Sequence, residues 1–189
     1  MLYANILPGL EVRISRGSAI EVVEQLKNGD AEISITGPLK DRWERFDAWS
    51  LFEEPFAVLV PRDHGLSSEE RIDIQRLSNE AVLLRQHCEQ AASFDAVFNR
   101  HDIQPNARHL ITSESDLIAL VEAGLGIALV SDFLPVPETV KKISLATPDL
   151  RRDVHLRTVA GRPRSPAASI FLKSLRAADW SDHLQSPTA

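Results

Sequence analysis

Hydrophobic and polar positions alternate with two different periods along this chain, and the periods change at glycines and prolines. "LEVRIS" (Leu10–Ser15) alternates apolar and polar residues and predicts a strand. The following "GSAIEVVEQLKNGD" carries Ile20, Val23 and Leu26 at helical spacing. Ser18 and Glu21 stand at capping-box distance, and Gly29 follows as a stop. "AEISIT" (Ala31–Thr36) predicts another strand, closed by Gly37-Pro38. Strand, helix, strand is the order of a parallel α/β unit. Further on, "WSLFEEPFAVLVP" reads as extended, and "IDIQRLSNEAVLLR" as a helical turn followed by a strand at Ala81–Leu84. "CEQAASFDAVFNRHDI" reads as a helix with Phe94, Val97 and Phe98 on one face. Strands are expected at "ARHLITS", "GIALVS", "KISLATP" and "DVHLRTVAG", with a helix at "SDLIALVEAG" and a proline-broken link at "DFLPVPETVKK". The last helix opens with Ser165 as its cap and Pro166 in its first turn, where the missing N–H costs nothing. Its expected buried side is Ile170, Phe171, Ser174 and Leu175.

The Gly-Leu-Gly at 124–126 invites a nucleotide-binding reading, which the order of elements rejects. A dinucleotide fingerprint needs strand, glycines, then helix. Here the helix comes first. Gly124 reads as the left-handed residue that ends it, and Gly126 as a tight entry into the next strand. The opposite end, "TSES", holds the capping hydroxyl of Ser113 and free N–H groups suited to a small anion.

Composition narrows the function. The 189 residues carry 21 Lys and Arg against 27 Asp and Glu, a net charge of −6. That balance gives no basic face for gripping duplex DNA. The single cysteine, Cys88, excludes an internal disulfide and an internal redox pair. No apolar run is long enough for a membrane span, and no signal-peptide pattern opens the chain, so a cytoplasmic location is expected. The six histidines form no H-E-x-x-H, and the adjacent side chains of His87-Cys88-Glu89 point in different directions, so no metal site is expected. No G-x-S-x-G elbow or P-loop is present. Glu53 and Glu54 would face opposite sides of a strand, so they do not converge as an acid/base pair. Neither an enzyme nor a cofactor is expected. What recurs instead is small polar residues just after strands: Gly17-Ser18, Thr36-Gly37, Arg85-Gln86-His87, Thr112-Ser113 and Ser131. In an open α/β sheet these carboxyl ends form the ligand crevice.

The ordered segments "PGLEVRISRGSAIEVVEQLKNGDAEISITGP" (Pro8–Pro38), "SLFEEPFAVLVPRDHGLSS", "LVEAGLGIALVS" and "GRPRSPAASIFLKSLR" resemble the effector-binding domain of LysR-type transcriptional regulators, from about Pro8 to Arg176. The resemblance implies a two-lobed α/β fold of the type 2 periplasmic-binding-protein kind. Two Rossmann-like lobes would be joined by two crossover strands, with a small-molecule cleft between them. The lobes would be residues 1–58 with 154–189, and 59–153. Carried over position by position, the ligand-binding residues would be Gly17, Ser18, Thr36, Gly37, Gln86, His87, Ser113 and Glu114, with Ser131 standing where proline is common. The resemblance begins after the strand and effector-contacting loop that usually open such domains, and without the winged helix-turn-helix. DNA would therefore be reached only through a domain missing from this chain. The implied partners are a small-molecule effector and a second copy, in a homodimer that becomes a tetramer in full-length regulators; no membrane is involved. The alternative is a free solute-binding protein of the same fold, used in uptake.

Overall fold

The structure is a computed structural model that describes residues 11–39, 43–86, 91–146 and 150–180. Along the chain the elements are α1 (Ala19–Asn28), β1 (Ser34–Thr36), β2 (Phe46–Pro61), β3 (Arg71–Ile72), a 3-10 turn (Ile74–Asn79), β4 (Ala81–Arg85), α2 (Ala91–Arg100), β5 (Ala107–Ile111), α3 (Glu114–Glu122), β6 (Ile127–Ser131), β7 (Val140–Leu145), β8 (Arg151–Val159) and α4 (Pro166–Ala177). They fall into two compact units. One takes its described residues from 11–52 and 153–180, the other from 53–152. The chain passes from one unit to the other within β2 and again within β8.

The larger unit is a mixed sheet with both faces covered. β4 runs parallel to β5 and to β6, β6 is antiparallel to β2, β2 is antiparallel to β7, and β3 lies parallel to β7. The near-continuous apolar run at the end of β2 follows from this, because a strand covered on both faces has no solvent side to make polar. Phe56, Val58 and Val60 pack on one face with Phe94, Val97 and Phe98 of α2. Leu59, between them in sequence, packs on the other with Leu117 and Val121 of α3. The close fit explains one glycine. A Cβ on Gly126 would stand 2.3 Å from the carbonyl oxygen of Ala81, so the entry to β6 admits no side chain. Gly124 has φ +75° and ends α3 as the sequence suggests.

In the smaller unit, β1 pairs antiparallel with β8. α1 is closed at both ends as predicted. Ser18 and Glu21 form the full capping box, and Gly29 takes the left-handed conformation at φ 90°. Arg162 then donates to the carbonyls of Leu26 and Lys27 at 2.7 and 2.6 Å, satisfying the last turn of α1 from across the unit. Ser165 caps α4 and itself donates, from its N–H and hydroxyl, to Glu32 at 2.6 and 2.9 Å.

Three expectations are corrected. Residues 11–15 form no strand: they pair with no described strand, and Val12 and Ile14 are exposed. Alternation specifies a strand only where a neighbouring ladder accepts it. The strand expected over 31–36 shrinks to Ser34–Thr36, the residues that meet β8. On α4 the buried residue is Leu172, one position on from Phe171, which is 42% exposed.

Candidate functional site

The carboxyl ends of β4, β5 and β6 lie side by side in the larger unit. Arg85 is opposite Ile111, and Leu83 is opposite Ala128. Three residues beyond Leu83 and Ala128 come Gln86 and Ser131, so the register brings these two and Ser113 to one edge of the sheet. The N–H of Gln86 donates to the carbonyl of Ile111 at 2.9 Å, extending the ladder by one bond and leaving Gln86 exposed.

The other polar residues here already hold the scaffold. Ser113 caps α3 by accepting from the N–H of Asp116 at 3.3 Å, and its hydroxyl meets that of Ser115 at 2.7 Å. Glu114 accepts from Arg85 at 2.8 Å. Ser131 donates to the buried carboxylate of Glu54 and accepts from the N–H of Phe133 at 3.1 Å. His87 lies outside the described residues. Among the described residues no group of three or more His, Cys, Asp or Glu is placed to hold a metal ion.

The smaller unit carries the other predicted positions. Ser18 is occupied by the capping box: its hydroxyl accepts from the N–H of Glu21 at 3.3 Å and donates to the Glu21 carboxylate at 2.9 Å. Gly17 leads into that cap, where a Cβ would stand 2.8 Å from the carboxylate and 3.2 Å from the Cβ of Glu21. Thr36 and Gly37 are both buried at the carboxyl end of β1. The Thr36 hydroxyl donates to the carbonyl of Gly37 at 3.2 Å and accepts from Arg157. Burial holds the Arg157 guanidinium below its ordinary pKa. Arg157 is not among the residues that stand out in the sequence as strand-end polar positions. Its signal in the sequence is a single permanent charge among the strand residues Leu156–Val159, all four of which are buried.

Two α/β units traversed twice by the chain, with polar residues at strand ends, are the features that the comparisons with known proteins place in a family. The LysR substrate binding domain profile matches residues 3–180. The chain belongs to this family. Among curated proteins it is 30% identical over 164 residues to the uncharacterized HTH-type transcriptional regulator YfeR of Shigella flexneri, covering 82% of this chain and 51% of that protein. It is 28% identical over 167 residues to the uncharacterized HTH-type regulator YybE of Bacillus subtilis, covering 87% of this chain and 56% of that one. The chain thus spans about half the length of the curated relatives it matches, and these are transcriptional regulators. The fold is that of the Synechocystis CcmR regulatory domain solved in complex with 2-PG, with TM-score 0.79, 19% identity and coverage of 93% of this chain and 86% of that one. It is also similar in fold to the BenM effector-binding domain with its effector benzoate, with TM-score 0.76, 19% identity and coverage of 99% of this chain and 86% of that one.

Proposed function

We propose that this chain is the sensing part of a LysR-type regulator. It binds a small-molecule effector and changes how a DNA-binding domain beyond this chain is presented. The observation that carries the reading is the family match over residues 3–180. The fold likeness to domains solved with 2-PG and benzoate supports it. Thr36 and Gly37, with Gly17 and Ser18, are the contacts proposed in one unit; Gln86, His87, Ser113, Glu114 and Ser131 are those proposed in the other. The effector acts by population shift, favouring one arrangement of the domain because it contacts that arrangement better. No bond is made or broken, and the site is not an enzyme's. The location is cytoplasmic, where a DNA-bound regulator works; among the described residues no helix is long and apolar enough to cross a membrane.

The working form is a homodimer, and a tetramer in the full-length regulator. The exposed apolar side chains Val12, Ile14 and Ile20 support this, since a lone domain gains nothing from leaving them in water.

Calorimetric titration with a panel of metabolites tests the effector reading. Binding by at least one compound, weakened in Thr36→Val and Gln86→Ala, is the expected result. A panel without a binder, or binding indifferent to both changes, removes it.

A further inference from the structure

One polar cluster in the smaller unit is not explained by the fold. Ser34 is opposite Arg157 in the β1–β8 ladder, and Thr36 is opposite His155. Cross-strand partners project to the same face, and so do residues two apart, so these four side chains share one face. Arg157 is 6% exposed and Ser34 is 4% exposed. One guanidinium nitrogen of Arg157 donates to the carbonyl of Thr36 at 3.3 Å and also to its hydroxyl. No described carboxylate pairs with Arg157, although the partly buried Arg152, Arg85 and Arg164 pair with Glu54, Glu114 and Asp47. Ser34 Oγ, directly across the ladder, is buried without a hydrogen-bond partner among the described residues.

A buried arginine cannot shed its proton to escape burial, so its charge has to be compensated. Two neutral oxygens from one threonine use little of a fork of five donors. An orphaned buried hydroxyl beside it carries a further desolvation cost. Both costs fall together if an anion meets the guanidinium and accepts from the serine. The cluster runs the length of β1, from Ser34 at its start to Thr36 at its carboxyl end, where the Arg157 guanidinium reaches.

We propose that Arg157, with the hydroxyl of Ser34, receives the oxyanion of a small organic acid. The effector of this domain is then an acid, not a neutral or cationic molecule. This rests on the effector-binding reading above and adds to it the ligand class and the residue that selects it. The guanidinium fork matches the two oxygens of a carboxylate in a way a lysine would not. Thr36 accepts from Arg157 and donates to the carbonyl of Gly37, which leaves the O–H of Ser34 to donate to the anion. Phosphate offers the same oxyanion chemistry, and the experiment separates the two.

The domain is titrated with acetate, succinate and inorganic phosphate against sodium chloride at matched ionic strength. The Nε–Hε resonance of Arg157 and the melting temperature are followed together. A saturable shift of that resonance, with a rise of about 3 °C at saturation, is expected for one of these anions. Whether acetate and succinate or phosphate saturates at the lower concentration identifies the group. Arg157→Gln weakens binding at least tenfold, and its melting temperature without anion does not fall, because an uncompensated buried charge has been removed. Ser34→Ala, a change small enough to fold in any case, weakens binding about threefold, the loss of one hydrogen bond. The absence of any saturable oxyanion response overturns the proposal, as does a response unchanged in both variants. A neutral or cationic metabolite that binds equally to wild type and Arg157→Gln overturns it too, while leaving the effector-binding reading intact.

Discussion

The carboxylate of Glu54 on β2 is almost fully buried and is held by the guanidinium of Arg152 on β8, which is itself 22% exposed. Ser131 donates to the same carboxylate from the end of β6, and Arg152 lies 5.9 Å from the ring centre of Phe56. Three strands distant in sequence are therefore tied at one charged point, next to where the chain passes between units. The acid/base role considered for Glu53 and Glu54 has a structural answer: each carboxylate has its own arginine, Arg151 for Glu53 and Arg152 for Glu54.

Removing one member of this pair should cost more than any surface change. Glu54→Ala leaves Arg152 without its partner and should destabilise the domain by about 3 kcal/mol, whereas Glu54→Gln, which keeps an acceptor, should cost about 1.5 kcal/mol. Urea unfolding measures both. Equal, small losses would show that the pair contributes little.

The two glycines of the Gly-Leu-Gly stretch should respond differently to the same substitution. Gly126→Ala drives a methyl into the carbonyl of Ala81 and should cost about 3 kcal/mol. At Gly124 a Cβ meets nothing within 4 Å and only the φ of +75° is penalised, so Gly124→Ala should cost about 1 kcal/mol. Thermal melts of the two variants rank them; the reverse order would refute the packing argument.

Aromatic residues test where the core lies. Phe94 is 1% exposed and packs edge-on to Phe56, with ring centres 5.0 Å apart. Phe94→Ala should cost about 4 kcal/mol. Phe171→Ala, on the more exposed side of α4, should cost about 1 kcal/mol or less. Comparable losses would place the α4 face as the sequence first suggests.

The dimer proposed for the sensing domain should depend on the apolar residues around α1. Ile14→Asp with Ile20→Asp should convert a sedimenting dimer to monomer. Since both residues are largely exposed, each change should alter the stability of the dilute domain by less than about 0.5 kcal/mol. A dimer that survives both changes would locate the interface elsewhere.

Local chemistry was readable wherever a few adjacent residues settle the matter. The capping box of Ser18 and Glu21, the stop at Gly29, the left-handed Gly124, and Ser165 with Pro166 at the head of α4 all stand as read. Each depends on contacts within a single helical turn. The apolar face of α2 was also legible, because its helical periodicity reports which side is covered. The proposed site residues were legible only as residue types at strand ends. Several of them turn out to spend their hydroxyls on the scaffold, as Ser18 does on Glu21 and Ser131 on Glu54.

The sequence by itself determined the helix ends, which rest on short-range pattern, and the family resemblance, which rests on ordered segments from about Pro8 to Arg176; the parallel strand–helix–strand unit expected at the start does not form, since β1 pairs antiparallel with β8. The tertiary structure decided whether residues 11–15 become a strand and which polar side chains are buried together. Those outcomes require partners from far along the chain: Thr36 and Arg157, 121 residues apart, meet only because β1 and β8 pair. An arginine in a strand is ordinary in sequence. It becomes a charge in want of an anion only when a ladder places it beside Ser34 and removes it from water.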